Sequence, residues 1–352
     1  MPHTCAEPDR RQTHLRSKQD ARALKVGLAR VAKERLSRAR DPSNPKANRY
    51  PHGTRRPREE VLRDDWAMTH RVKAAARQEL RSTLRSIWQE QGNLIVRRLR
   101  EVQRSGRTTR AMRAAWQYAR GSEGSKEDPD QAIHRLIIQR LIEWETWKER
   151  IREETGPLLQ RIIEQGGETG AVRVGVSGVD FTSGSPFVQQ QLSEILGLVE
   201  STEDTWSSNL ARTIQQGLSE GDDFEGLVAR AREQQEYQTG SRLRRTVETV
   251  GNGGFEAGQL QAWRDVGLSE RSWVTERDVR VRGTAQDVWD HRGADGQTQP
   301  LSQPFIIVTT DGFTSESLMY PAAPEASAAN AVNCRCSQSP ELEEGNLPES
   351  LR

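Results

Sequence analysis

Residues 80–102 read LRSTLRSIWQEQGNLIVRRLREV, and their spacing sets the fold class. Leu80, Leu84, Ile87, Trp88, Leu94, Ile95, Leu99 and Val102 recur at intervals that keep them on one helical face, with Arg, Gln and Glu between them. This is an amphipathic α-helix that buries one stripe. The pattern extends from about Pro57 to Gln103. Further on, Ile133, Leu136, Ile137, Leu141, Trp144, Trp147 and Ile151 make a second stripe and predict a helix over 130–154. Pro129 marks its start and Gly156-Pro157 its end. Narrow stripes on such charged helices predict an antiparallel hairpin or coiled coil over 59–165. Trp144 and Trp147 share a face and read as core, not as a platform for stacked bases.

Toward the N-terminus, Leu24, Leu28, Val31, Ala32 and Leu36 predict a helix over 19–40, and the four prolines of 41–59 read as linker. Residues 1–60 hold 16 Lys/Arg and 7 Asp/Glu, whereas the whole chain carries only +2. Residues 1–58 therefore read as a basic, flexible arm on a slightly acidic body. Arg10, Arg11, Arg16, Lys18, Arg22, Lys25, Arg30, Arg55 and Arg56 are its candidates for contact with DNA phosphates. The alternative reading is a solvated tail.

Toward the C-terminus, GGETGAVRVGVSGVDFTSGSP (166–186) is rich in Gly and Ser. It predicts a linker holding one short strand, 171–176. Helical patterns follow over Pro186–Val199, around Trp206–Leu218 up to Gly221, and over 222–235 behind a cap at Asp222-Asp223. The last spans 242–263, loosened at Gly251, Gly253 and Gly254. Beyond it, Ser272–Thr275, Ile306–Thr309 and Ser317–Tyr320 are short β candidates among Gly, Pro and Asp. Residues 339–352 read as a disordered polar tail. The expected architecture is mainly α with a small C-terminal α+β unit over 187–338.

Composition agrees with that picture. Hydrophobic residues are 34% of the chain, below the roughly 45–50% of ordinary globular domains, so a modest core and long solvated helices are expected. No apolar run is long enough to span a bilayer, and the N-terminus has no apolar signal core. Cys5, Cys334 and Cys336 are too few for a disulfide framework. A cytoplasmic chain without a membrane partner is the expectation. G-x-x-x-x-G-K-[ST], a strand-to-helix G-x-G-x-x-G, G-x-S-x-G and H-E-x-x-H are all missing from the sequence, which argues against a packaging ATPase, a kinase and a simple serine hydrolase.

The densest polar constellation is C-terminal: Arg245, Glu248 and Asn252 on one helix, then Asp278, Arg280 and Arg282, His291, and Asn333-Cys334-Arg335-Cys336. Glu248 and Asn252 share a helical face. Arginine and carboxylate at such spacing clamp segments together. The alternative is an acid/base or metal site using Glu248, Asp278 and His291. His291, Cys334 and Cys336 are three zinc-type ligands where a structural site takes four; Asp287, Asp290 or Asp295 could supply the last, but a Cys-x-Cys with one distant His is an incomplete set. The sequence therefore predicts no metal and no cofactor, with two small buried thiols ending a strand, and names those three as the ligands should a metal be held.

These residues also carry a resemblance. Thr182-Ser183 with Ser185-Pro186-Phe187 comes first, then Arg245-Thr246-Val247-Glu248-Thr249 with Asn252, then Trp273 followed by Asp278-Val279-Arg280-Val281-Arg282. His291, Asp295-Gly296-Gln297 and Pro304-Phe305 follow, then Leu318-Met319-Tyr320-Pro321 and Ala331-Val332-Asn333-Cys334-Arg335-Cys336. In this order, over roughly residues 180–338, they resemble the phage Mu F-like head morphogenesis domain. Val247 is inserted where the family often has Thr-Glu, and the spacing from Arg282 to His291 is long. The Cys-x-x-Cys that some relatives carry is missing, which favours a hydrogen-bonded clamp over a thiolate metal site.

The resemblance implies a non-enzymatic minor head protein of a tailed phage or prophage. It implies a place in the head interior near the portal vertex, with the host cytoplasm as the site of assembly. Implied partners are the portal protein, the scaffold and major capsid protein, and packaged DNA bound without sequence preference. Two alternatives stand beside it: a toxin or hydrolase module in 1–165 fused to such a domain, and a non-specific DNA-binding coiled-coil protein.

Overall fold

A computed structural model describes residues 58–105, 143–176, 184–275 and 280–342. The basic arm with its nine DNA-contact candidates, the expected helix over 19–40, the first part of the expected helix over 130–154, and Asp278 lie outside the described residues. The protein is mainly α with a few short antiparallel strands near its C-terminus. Helix α1 spans Arg58–Ser105, α2 Trp144–Arg173, α3 Pro186–Glu220, α4 Phe224–Tyr237 and α5 Leu243–Asp265. A π-helical turn, Gln238–Arg242, joins α4 to α5. Strands β1 (Glu270–Val274), β2 (Thr298–Pro300), β3 (Phe305–Val308), β4 (Ser315–Leu318) and β5 (Ser337–Pro340) follow, with a single helical turn α6 at Ala328–Ala331 before β5. Among the described residues no helix is long and apolar enough to cross a membrane.

Two compact units interleave along the chain rather than following one another. The helical unit takes the described parts of Glu79–Leu158 and Ile195–Val247. The second unit takes those of Met1–Gln78, Leu159–Glu194 and Glu248–Arg352. The sequential boundaries expected at 165 and 187 thus fall inside helices that both units share.

In the helical unit the predicted stripe of α1 is inward: Leu80, Leu84, Ile87, Trp88, Ile95 and Leu99 are buried. Ion pairs Arg98–Glu143 at 2.7 Å and Arg150–Glu90 at 2.7 Å show α1 and α2 running antiparallel, as the hairpin reading requires. Lys148–Asp204 at 3.5 Å and Arg152–Glu200 at 2.8 Å do the same for α2 and α3. Exposed pairs contribute little each; the cohesion comes from Ile95, Leu99, Trp206, Leu210, Ile214, Leu227 and Val228, against which Trp144 packs. Trp147 is buried, with the Arg150 guanidinium 5.3 Å from its ring, and the Lys148 ammonium lies 4.1 Å from the Trp144 ring. Trp147 is therefore core, and Trp144 packs half-buried against the core. Asp223 caps α4 by accepting from the Gly226 N–H at 2.8 Å.

Helix α2 departs from expectation. It runs through Pro157 and through Gly166, Gly167 and Gly170 to Arg173, so neither the stop at Gly156-Pro157 nor the strand over 171–176 forms, and the expected linker is helical in its first third. Pro157 removes one backbone donor, but Leu158, Leu159, Ile162 and Ile163 are buried around it and hold the helix together. The glycines serve contact, not flexibility. A methyl group at Gly166 would overlap the Phe255 carbonyl, and one at Gly258 would overlap the Ile163 carbonyl. Helices α2 and α5 meet backbone to backbone, which only glycine allows.

In the second unit β1 is the central strand of an antiparallel sheet ordered β2-β1-β5. Arg271 pairs with Pro340, Ser272 with Ser339 and Trp273 with Gln338. Strands β3 and β4 form a separate hairpin, Phe305 opposite Leu318 and Val308 opposite Ser315. Phe305 and Ile307 point inward while Ile306 and Val308 point out. The predicted strands at 272, 306 and 317 each form within two residues of their expected bounds. β5 corrects the sequence reading, because the start of the expected disordered tail is a fully buried strand: Ser337, Gln338, Ser339, Glu341 and Leu342 are all buried.

Candidate functional site

The buried face of α5 carries Asn252, Glu256 and Gln259, spaced four and three apart so that they share one side of the helix. Burial of polar groups is costly unless they are bonded, and here every side-chain oxygen of the three accepts, while Gln259 Nε2 alone among their side-chain atoms makes no bond. Asn252 Oδ1 accepts from Lys73 Nζ at 2.7 Å, and its Nδ2 donates to the Cys334 and Cys336 carbonyls at 3.3 Å each. Glu256 Oε1 accepts from Lys73 Nζ and from Ser337 Oγ at 2.7 Å, and its Oε2 accepts from the Gln338 N–H at 3.1 Å. Gln259 accepts from Arg173, whose guanidinium also donates to the Gln338 carbonyl at 3.0 Å and to Ser339 Oγ at 3.2 Å. Burial lowers the Lys73 pKa below its ordinary value, against the opposing pull of Glu256. The polar strand β5 is buried because Lys73, Glu256 and Arg173 supply the partners that its sequence demands.

The Cys-Arg-Cys segment just before β5 meets His291. His291 Nδ1 lies 3.4 Å from Cys336 Sγ and 3.6 Å from Cys334 Sγ, while its Nε2 lies 2.7 Å from Asn330 Oδ1. Asn330 Nδ2 donates to Glu316 Oε2 at 2.9 Å. Its Oδ1 therefore faces the imidazole, which places the proton on Nε2 and a lone pair on Nδ1, toward both sulfurs. Burial raises the Glu316 carboxyl, but hydrogen bonds from Asn330 and Ser327 outweigh it and hold the group below its usual value. Trp273 packs edge-on to both His291 and Phe305, at 5.6 and 5.3 Å between ring centres. The two thiols are unlike. A hydrogen bond from the Cys336 thiol brings Cys334 well below the ordinary thiol value against the effect of burial, and His291 adds to it. Burial and the neighbouring Cys334 push Cys336 well above.

A cleft of about 220 Å³ opens beside this cluster, lined by Arg280, Arg282, Asp287, Asn333 and Arg335 as well as by the histidine and cysteines. Arg282 donates to the Asn330 carbonyl at 2.7 Å and to the Val332 carbonyl, and so holds the turn before Cys334. Asn333 adopts φ 58°, and its N–H donates to Thr249 Oγ1 at 3.3 Å. Asp295 accepts from the Thr275 N–H at 2.8 Å, and Gly296, at φ +82°, donates to the Trp273 carbonyl at 2.8 Å. Positive charge accumulates here: burial, then Lys73, Arg77, Arg335 and Arg280, lower His70 from 6.5 to about 3.

Of the sequence candidates, Asn252, Trp273, Arg282, His291, Asp295, Gly296, Asn333, Cys334 and Cys336 are brought into one connected site, with Arg280 and Arg335 on its cleft. Arg245 belongs to the helical unit, where its guanidinium donates to the Tyr237 hydroxyl at 2.5 Å. Glu248 is only half-buried; its charge acts on Arg335. The buried carboxylate that clamps is Glu256, two turns later. Sequence reading also missed Lys73, Arg173, Glu316 and Asn330. The Asn252–Glu256 spacing of four was the available signal for Glu256; Lys73 had none beyond its place in the apolar run of α1.

Chemically, the cluster offers two thiols beside an imidazole that is oriented by an asparagine, a set shared by cysteine nucleophiles and metal sites. His291, Cys334 and Cys336 are the described residues able to hold a metal: their ligand atoms lie within 4.8 Å of one another and all three are buried. Comparisons with family models, curated proteins and solved structures find no match to this chain.

Proposed function

We propose that the protein is a non-enzymatic minor head protein of a tailed phage or prophage, acting in head morphogenesis at the portal vertex. One observation carries the reading. The segments resembling the Mu F-like domain, scattered from Thr249 to Cys336 in sequence, converge on a single clamp in which Asn252, Arg282, Asp295 and Thr249 all bond backbone groups of other segments. Such bonds fix loops in place; they leave those side chains occupied and unsuited to turning over a substrate. A rigid module of this kind suits docking on a portal ring or its neighbours in the capsid. The basic residues Arg10 to Arg56 supply the contact with packaged DNA, through phosphate charge alone.

The test is removal of the chain from a producing strain, followed by electron microscopy of the heads. Misshapen or empty heads with a normal portal supply are expected. Normal, DNA-filled heads would overturn the proposal and favour a toxin or hydrolase carried by the virion.

A further inference from the structure

We propose that the protein binds one zinc ion through His291 Nδ1, Cys334 Sγ and Cys336 Sγ, with the fourth coordination position facing the arginine-lined cleft. The site does not depend on the head-protein reading.

Three independent features of the geometry point to it. First, the distances match. Zinc bonds of about 2.0–2.1 Å to nitrogen and about 2.3 Å to sulfur in a tetrahedron set nitrogen and sulfur roughly 3.5–3.6 Å apart. The observed separations from Nδ1 are 3.4 and 3.6 Å, one to each sulfur. A cysteine nucleophile needs one sulfur at its imidazole; here two sulfurs lie within 0.2 Å of the same distance from one nitrogen, as a ligand set requires. Second, His291 is held as a metal-bound histidine is held. Its far nitrogen donates to Asn330 at 2.7 Å, and Asn330 is fixed in turn by Glu316 at 2.9 Å. This second tier sets the tautomer that leaves Nδ1 free to bind. Third, the ligand backbone is preset. Asn252 bonds the carbonyls on both cysteines at 3.3 Å, and Arg282 bonds the turn before them. The ligands are thus positioned through their backbone.

Two thiolates neutralise the charge of Zn²⁺, so a water in the fourth position gains less acidity than on an all-histidine site. The ion's role is to tie the Cys334–Cys336 segment to the loop that carries His291. Arg280, Arg282 and Arg335 around the open position favour an anionic fourth ligand.

The experiment uses the full chain, purified without a histidine tag from zinc-supplemented cells, desalted, and analysed for metal by mass spectrometry. About one zinc per chain is expected. His291→Ala and the double variant Cys334→Ser/Cys336→Ser should fall to background, and Cys5→Ser should keep the full amount. Should the ligand variants fail to fold, cobalt(II) titration of the parent protein decides: tetrahedral visible bands with thiolate-to-cobalt charge transfer are expected. Zinc at background in the parent, zinc retained in the folded variants, or a cobalt spectrum without thiolate bands would each overturn the proposal. Alkylation of Cys334 and Cys336 that is as fast in the zinc-loaded parent as in the metal-free parent would also do so.

Discussion

Glu256 and Glu248 sit on the same helix, eight residues apart, and their fates differ because of what faces them. Glu256 is fully buried against Lys73, Ser337 and the Gln338 N–H, while Glu248 is half-buried. Removing one member of a buried ion pair typically costs about 3–5 kcal/mol, since the partner charge is stranded. Glu256→Ala is expected to lower unfolding free energy by that amount in urea titrations followed by tryptophan fluorescence, and Glu248→Ala by under about 1 kcal/mol. Equal losses would mean that the Lys73 network does not hold β5. Glu203 makes a second residue-scale case, in the helical unit. Burial raises its pKa from 4.5 to about 7, although Gln91 donates to it at 2.6 Å. A raised carboxyl pKa means that the folded state keeps a proton the unfolded state has released. Its stabilising share is full below pH 4.5 and is lost as pH rises to about 7. Replacing it with Gln should flatten the dependence of Tm on pH across that window; an unchanged slope would show that Glu203 is ionised in the fold.

At the scale of elements, glycine carries the sharpest test. An alanine in place of glycine within a helix ordinarily stabilises by about 0.5–1 kcal/mol. Gly258→Ala should do the reverse, because its methyl would overlap the Ile163 carbonyl and force α5 away from α2. A Tm that rises would contradict the backbone-to-backbone crossing. The same glycines explain why part of the fold was illegible. In sequence, Gly166, Gly167 and Gly170 look like a linker, because composition records flexibility and not the neighbour that requires a missing side chain. Helix α1 was readable from its apolar period and α4 from its cap, whereas α3, one continuous helix over Pro186–Glu220, was read as two. Strand β1 was readable from Trp273-Val274, but β2 (TQP) and β5 (SQSP) lack the β-branched and aromatic residues that mark strands. The burial of β5 depends on Lys73 of α1, Arg173 of α2 and Glu256 of α5, a long-range fact that no local window contains. The site was partly legible for the same reason: the motif residues were named, while Lys73, Glu256, Asn330 and Glu316, which orient them, were not.

At the scale of the whole molecule, charge is segregated. The first 60 residues carry an excess of nine positive charges over a body that is slightly acidic. If that arm meets DNA, binding is independent of sequence and falls steeply with salt, by a slope of roughly 0.9 per phosphate neutralised in a log–log plot. Deleting residues 1–57 should abolish this binding without altering the melting of either unit; retained affinity would move the contact elsewhere. Quantitative mass spectrometry of purified heads against the soluble lysate decides where the protein resides. A minor head protein is expected in DNA-filled heads at a few copies for each portal ring. Its absence from both empty and full heads, with the chain free in the lysate, would contradict the account and turn attention to residues 1–165.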